Sequence, residues 1–177
     1  HAAAFALLAY QSAWLRHHYP AEFLCALLNA QPMGFYPPSS LVRDGERRGV
    51  KVRTPDINLS NVHCVLEKTS VRVGLGFIRG VGKEAAAQLV AEREVAGPFA
   101  SVHDLAQRAP LSRAEFDALV VSGACDLFGW PRRQLLWRLG LAPRSVSAGE
   151  GGEARQLVLP IEPTTEIPEL PDETVWE

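Results

Sequence analysis

The sequence predicts a mainly α-helical protein with a few short strands, followed by a tandem pair of helix–hairpin–helix units. Three observations indicate this fold class. Residues 1–30 are rich in alanine and carry apolar side chains at helical spacing. Two short stretches alternate apolar residues with charged residues or glycine, as short strands do. A Gly-Val-Gly turn then separates a short apolar segment from an alanine-rich helix.

The first two predicted helices form a helical hairpin. Phe5, Leu8 and Leu15 fall at helical spacing, and small residues fill the other faces of the first helix. Because a helix that is apolar on most sides is usually buried, we expect this helix to lie between neighbouring elements. Tyr19 and Pro20 interrupt the pattern, and Pro20 suits the first turn of a second helix.

A third short helix and two strands follow. The third helix is predicted to begin at an N-cap of Ser39 or Ser40 and to stop at Gly49. Apolar and charged or small residues alternate at 50–53 and again at 71–75. These stretches predict short strands at the edge of a mostly helical body.

Helical signals return in the second half of the chain. A helix is predicted from the Gly-Val-Gly turn through Glu94, and Gly97 ends it. Ser101 can cap the next short helix, and Ser112 with Glu115 forms a capping box for the one after it. A final helix is predicted to begin near Pro131 and to end before residue 144.

The net charge of −2 is the sum of two unlike parts. Residues 1–145 hold 17 of the 18 Lys and Arg residues and 12 of the 20 acidic residues, a net charge of +5. Residues 146–177 have a net charge of −7 and four prolines, which predicts a linker or an extended surface strap. The near-neutral total therefore does not exclude a nucleic-acid partner for the basic part.

The Gly80-Val81-Gly82 turn is the most informative motif. Its glycines permit tight backbone geometry and close approach of a phosphate, while Val81 can anchor the turn in the core. The N–H groups at the start of the next helix would face the anion, and Lys83 and Arg79 would add positive charge. Such a contact holds nucleic acid by its backbone and reads no base sequence. An ordinary helix–turn–helix corner is the alternative for this tripeptide.

The second unit repeats this scheme with a different hairpin. Ser122-Gly123-Ala124 lacks the second glycine, so this half is interpreted as structural. Arg132 and Arg133 follow it and could extend a basic face, although paired arginines are more often solvated charge. The same caution applies to the densest basic cluster, at residues 43–53, whose contact with DNA would steepen the salt dependence of binding.

No catalytic or metal-binding constellation is predicted. His17-His18 and His63-Cys64 are adjacent pairs without a second pair to complete a tetrahedral site. The three cysteines are widely spaced and form no CxxC, which predicts free thiols in a reducing cytoplasm. No signal peptide or membrane span is evident, so no membrane partner is expected. A chain that begins at His1 and has one methionine, Met33, reads as a piece of a longer protein.

Several segments, in order along the chain, resemble the bacterial C-family DNA polymerases, the DNA polymerase III alpha subunits. The N-terminal ones resemble the end of the fingers region of that family, and residues 29–36 resemble its error-prone, damage-tolerance branch. The resemblance covers about residues 1–140 and is carried by residues 1–11, Trp14-Leu15, 18–23, 26–29, Pro55-Asp56-Ile57-Asn58, Ser60, Gly74-Leu75-Gly76, Gly80-Val81-Gly82, Gly97-Pro98-Phe99, Gly123-Ala124 and Asp126.

The resemblance implies a division of the chain into four parts. Residues 1–49 would be the C-terminal fingers helices, 50–75 a strand-containing connection, 76–143 the tandem helix–hairpin–helix DNA-binding domain, and 144–177 an acidic, proline-rich linker. In the family, magnesium is held by palm-domain aspartates, which would lie upstream of His1. This fragment therefore needs no cofactor of its own and is expected to be inactive alone.

The function expected from the resemblance is non-specific binding of duplex primer-template DNA behind the active site of an error-prone polymerase. The expected DNA-binding residues are Arg79, Gly80, Val81, Gly82, Lys83, Arg132 and Arg133. The alternative is a protein-interaction module that recruits the polymerase into a damage-tolerance complex, with a sliding clamp or other damage-tolerance proteins as candidate partners. A free-standing helix–hairpin–helix protein is a further alternative. If the chain is a DNA-binding part of a bacterial polymerase, we expect it in the cytoplasm, associated with the nucleoid.

Overall fold

The computed structural model describes residues 2–34 and 36–141, and the predicted linker at 144–177 lies outside these residues. The mainly helical fold class is confirmed. Within the described residues the helices are α1 Ala2–His18, α2 Pro20–Asn29, α3 Pro38–Arg47, α4 Gly82–Ala96, α5 Val102–Arg108, α6 Arg113–Val121 and α7 Arg132–Leu141. Two short 3₁₀ helices, Leu75–Phe77 and Asp126–Phe128, precede and follow the α4–α6 segment.

Three strands form one small sheet in the order β1-β3-β2, from β1 Lys51–Arg53, β2 Val65–Glu67 and β3 Ser70–Arg72. The sequence predicts the first and last of these and misses β2. The β1 strand pairs parallel to β3, and β2 pairs antiparallel to β3. The strands have three residues each, which leaves β2 too short for a clear alternation of apolar and polar residues.

The helix ends show which capping signals decide a boundary. The Ser101 side chain accepts a hydrogen bond from the N–H of Asp104, and Ser112 and Glu115 form both bonds of the predicted capping box. Gly97 ends α4 with a φ of +84°, as predicted. The N-cap predicted at Ser39 or Ser40 is wrong. The helix α3 begins at Pro38, because proline needs no N–H partner in the first turn and its fixed φ suits that position.

Two clusters of buried side chains make up the core. The smaller one joins α2, α3 and the sheet through side chains such as Leu24, Leu28 and Val71. The larger one joins α4 to α7 and includes Val81, Leu89 and other apolar side chains. Residues of the segment between the sheet and α4 reach both clusters, and the predicted domain boundaries at 50 and 76 stay predictions.

The prediction that α1 is buried is wrong for the described residues. None of its residues is buried, and Phe5 and Leu8 are 69% and 58% exposed. Alanine has the highest helix propensity, so the alanine-rich sequence favours a helix whether or not other elements cover it. Near the C-terminal end of α1, Arg16 pairs with Asp44 of α3 at 3.4 Å. Apolar composition therefore predicted the helix and not its neighbours.

Two asparagine side chains bond to backbone that is distant in the chain. The side-chain amide of Asn29 exchanges hydrogen bonds of 2.8 and 2.9 Å with the backbone of Cys64. The side chain of Asn58 does the same with the backbone of Phe99, at 2.9 and 2.8 Å. Arg93 of α4 donates to the carbonyls of Ile57 and Ser60. These bonds fix the segment that leads into the Gly-Val-Gly turn.

Within residues 2–34 and 36–141, no helix combines the length and the apolar character that crossing a membrane requires.

Candidate nucleic-acid interface

The first hairpin is a tight turn held by one buried side chain. Gly80 and Gly82 have φ values of +96° and +76°, a region that favours glycine. Between them Val81 is 4% exposed, and its N–H donates to the carbonyl of Ile78 at 3.1 Å. A Cβ atom at Gly80 would lie 3.5 Å from the Cβ of Ala118, so α6 packs directly behind the turn. The buried valine and α6 therefore hold the two glycines at the surface.

The start of α4 presents backbone donors at this surface. The helix begins at Gly82, and no side chain caps it. Because the first N–H groups of an α-helix have no partner within the helix, those of Gly82, Lys83 and Glu84 can donate outward. The helix dipole adds a partial positive charge at the same place. The arrangement suits an anion such as a phosphate.

The side chain of Lys83 lies along the preceding segment. Its Cγ is 3.4 Å from the position of a Cβ on Gly76, so the aliphatic stem crosses that glycine. Lys83 is exposed and forms no ion pair with a described carboxylate. Its ammonium group is thus available to a ligand at the hairpin.

Glu84 is a residue that the sequence interpretation missed. Its carboxylate turns back over the hairpin, with Oε2 3.7 Å from the position of a Cβ on Gly82. An acid in the first turn is favoured by the helix dipole, and this preference is the sequence signal that could have found it. The carboxylate lowers the positive potential at the place where a phosphate would bind.

Arg79 and Arg132 lie at the same end of α6. Arg79 is exposed and borders a shallow groove of about 350 Å³ together with Ala118, Val121 and Ser122. Arg132 donates from Nη1 to the carbonyl of Val121 at 3.0 Å. The two predicted arginines therefore both lie beside Val121, Arg79 next to the first hairpin and Arg132 at the second.

The second hairpin is closed by an ion pair. Arg132 donates to both carboxylate oxygens of Asp126, at 3.0 and 2.7 Å, and this pairing raises the pKa of Arg132. A Cβ on Gly123, whose φ is +86°, would lie 2.6 Å from Nη2 of Arg132. The guanidinium thus fills the concave side of the turn. Arg132 stabilises the second hairpin and has part of its charge neutralised there.

Arg133 and Cys125 differ in their surroundings. Arg133 is exposed on α7 and forms no ion pair with a described carboxylate. Cys125 is fully buried behind the second hairpin, and desolvation raises the pKa of its thiol to about 12. A thiol with such a pKa is a core residue and not a nucleophile at neutral pH.

The described part of the chain brings together no group of three or more His, Cys, Asp or Glu side chains that could hold a metal ion. The histidines at the end of α1 make ring contacts. The ring centroid of His18 lies 4.5 Å from that of Trp14 and 4.8 Å from that of His17. These two histidines are accounted for by aromatic packing.

Comparison with known proteins gives one matching family model and many relatives. A model described as "Helix-hairpin-helix motif" matches residues 49–135. Over 144 residues the chain is 50% identical to an error-prone DNA polymerase of Mycobacterium tuberculosis. This aligned segment makes up 80% of this chain and 13% of that protein. The chain is 49% identical over 144 residues, with the same coverage, to the error-prone DNA polymerase of Mycolicibacterium paratuberculosis.

A third relative extends the similarity along the whole chain. The error-prone DNA polymerase of Corynebacterium efficiens is 41% identical over all 177 residues, which make up 15% of its length. The chain thus spans about one seventh of the length of the curated relatives it matches. The chain is therefore homologous to a segment of the error-prone DNA polymerases, as its resemblance to C-family polymerases predicts, and it contains a helix–hairpin–helix motif.

Proposed function

We propose that this chain is the part of an error-prone DNA polymerase that holds duplex primer-template DNA through its backbone phosphates. The single observation that carries the proposal is the first hairpin, where two glycines with positive φ flank a buried valine at the uncapped start of α4. Outward N–H groups and the unpaired ammonium of Lys83 offer a phosphate both hydrogen bonds and charge. Such a contact is independent of base sequence.

The contributions of the predicted residues differ. Gly80 and Gly82 allow close approach, Val81 anchors the turn, and Lys83 with Arg79 supplies charge next to it. Arg133 adds an exposed cation on α7, whereas Arg132 contributes through the shape of the second hairpin and only in part through charge. The first hairpin is accordingly the main phosphate contact.

The catalytic chemistry belongs to the intact polymerase. Magnesium and the carboxylates that hold it would lie in parts of the protein outside this chain, and we expect no nucleotide addition by the chain alone. Non-specific binding of the duplex would support damage-tolerant DNA synthesis, because it keeps the primer-template in place whatever its base sequence.

The test is binding of the full chain to two duplexes of unrelated sequence, measured by fluorescence anisotropy over a range of salt concentrations. Gly82→Asp and Gly82→Asn form a matched pair, because both residues tolerate positive φ and only aspartate adds a negative charge. We expect Gly82→Asp to weaken binding at least tenfold more than Gly82→Asn. Equal binding by the two variants would contradict the hairpin assignment.

Lys83 provides a second, independent comparison. Lys83→Gln and Gln88→Glu each lower the net charge by one on the same helix, and both positions are exposed. We expect only Lys83→Gln to lower the salt dependence of binding, by about 0.9 log units per log unit of salt. If both variants lower it equally, overall charge and not the hairpin governs binding.

A second candidate function is recruitment of a protein partner, favoured by the exposed apolar side chains of α1. In this alternative, the helical body and the acidic C-terminal segment would bind a sliding clamp or another damage-tolerance protein. Neutralising the acids of residues 146–177 would then abolish partner binding and leave DNA binding unchanged. Pull-down and anisotropy on the same variant separate the two functions.

A further inference from the structure

The outer face of α3 and the neighbouring edge strand carry three unpaired cations. Arg43 and Arg47 are exposed on α3, and Lys51 is exposed on β1, the edge strand next to it. Among the described residues, none of the three forms an ion pair or a side-chain hydrogen bond. We call Arg43, Arg47 and Lys51 the α3 basic face.

Packing fixes the direction of the two arginines of α3. Gly45 is buried against Leu24 of α2, and a Cβ there would lie 2.5 Å from a Leu24 methyl carbon. With 3.6 residues per turn, Gly45 lies about 200° around the helix from Arg43, whereas Arg47 lies about 40° from it. The two arginines therefore point together, away from the core.

Ion pairs account for the other cations near this face. Asp44 accepts from Arg16 at 3.4 Å and from Arg48 at 3.2 Å. Glu67 pairs with Arg53 at 3.2 Å and with Arg72. These pairs occupy Asp44 and Glu67, whereas the exposed Glu46 on α3 forms no ion pair with a described residue. The three members of the α3 basic face keep their full charge.

We propose that the α3 basic face is a second contact for the phosphates of duplex DNA, separate from the first hairpin. The α3 basic face would bind the same ligand as the first hairpin, but it contains none of the hairpin residues. Four residues of α-helix rise about 6 Å, and a duplex carries one phosphate charge per roughly 1.7 Å of its axis, so Arg43 and Arg47 can meet different phosphates. Lys51 adds a third exposed charge on β1, the edge strand that follows α3.

The chemistry of the face favours nucleic acid over an acidic protein. The apolar side chains of α3, Leu41 and Val42, pack against the smaller core cluster, so no apolar anchor stands among the three cations. Protein interfaces are usually centred on such buried anchors. A surface that offers only spaced positive charges fits a polyanion bound through counterion release.

The test compares the full wild-type chain with R43Q/R47Q/K51Q in the same anisotropy assay over a range of salt concentrations. Neutralising three phosphate contacts should lower the salt dependence by roughly two to three log units per log unit of salt. A single Arg47→Gln should account for about one third of this change. Glu46→Gln, which removes the exposed carboxylate of α3 that forms no ion pair with a described residue, should strengthen binding.

Arg113→Gln is the matched control for Arg47→Gln. It removes one cation as well, but Arg113 is already paired with Asp117 at 2.8 Å on α6. We expect Arg113→Gln to leave the salt dependence unchanged. Circular dichroism of each variant reports whether its fold is retained, and the single variants serve as the test if the triple variant does not fold.

The outcomes distinguish this inference from the proposed function. If Gly82→Asp weakens binding and the α3 variants do not, the hairpin binds DNA and the second contact is wrong. If wild type fails to bind duplex DNA at low salt, both proposals are wrong. Equal effects of Arg47→Gln and Arg113→Gln would also overturn the second contact.

Discussion

Asn58 holds the backbone of Phe99 from a distance of 41 residues, with its side-chain amide accepting from the N–H and donating to the carbonyl. This exchange imitates one step of a β-ladder between a loop and the turn that follows α4. Phe99 is 1% exposed, and the guanidinium carbon of Arg108 lies 4.5 Å from the centroid of its ring. The pair therefore connects the segment before the hairpin to the larger core.

Asn58→Ala should destabilise the fold by about 1–3 kcal/mol, because it leaves both the N–H and the carbonyl of Phe99 without their partner. Urea unfolding of the full chain measures the free-energy change. Asn61→Ala is the control, since the Asn61 side chain is exposed and bonds only to the next residue, Val62. Equal losses for the two variants would contradict a special role for Asn58.

Glu84→Gln should strengthen duplex binding about two- to fivefold at low salt. The carboxylate lies near Gly82 at the positive end of α4, where a neighbouring charge is worth about 0.3–1 kcal/mol. Anisotropy titration measures the effect. Glu94→Gln, which removes an exposed acid at the other end of α4, should change binding less. A larger effect at Glu94 would place the binding surface elsewhere.

Arg132→Ala should destabilise the fold more than Arg133→Ala does. Arg132 pairs with Asp126 and donates to the carbonyl of Val121, whereas Arg133 has no described ion pair. The pair is half exposed, so its loss should cost about 1 kcal/mol. Thermal unfolding of both variants gives the comparison. If the two midpoints coincide, the ion pair does not stabilise the second hairpin.

Acidification should destabilise the sheet through Glu67. A hydrogen bond from Arg72 is the main cause that lowers the pKa of the Glu67 carboxyl below its ordinary value of 4.5. A carboxyl with a depressed folded-state pKa contributes stability that is present above 4.5 and lost as the pH falls through the folded value. Glu67→Gln should therefore flatten the decline of stability below about pH 4.5, measured by urea unfolding at several pH values. A parallel decline in both proteins would exclude Glu67 as a source.

Local signals in the sequence predicted much of the helical framework. The capping box at Ser112 and Glu115, the cap at Ser101 and the stop at Gly97 depend on hydrogen bonds and φ angles within a few residues. These features can be predicted from the sequence because the residues that interact are neighbours in the chain. The α3 start was misplaced because serine and proline signals compete there, and proline at the first helical position decided the boundary.

Contacts between residues that are far apart in the chain could not be predicted from the sequence. The exposure of α1 depends on which elements pack against it, and its composition does not identify those elements. The partner of Arg132 depends on how the second hairpin folds back toward α7. The β2 strand exists because β3 pairs with it, and not because its three residues show a pattern.

The sequence alone determined the helical class, the hairpin motif and the family resemblance, because each is written in short segments whose residues act on their immediate neighbours. Only the tertiary structure decided which charges stay free. Arg132 is paired with Asp126 at the second hairpin, whereas Lys83 and the α3 basic face have no described partner. The physical reason is that ion pairing depends on distances between residues that the fold, and not their order in the chain, brings together.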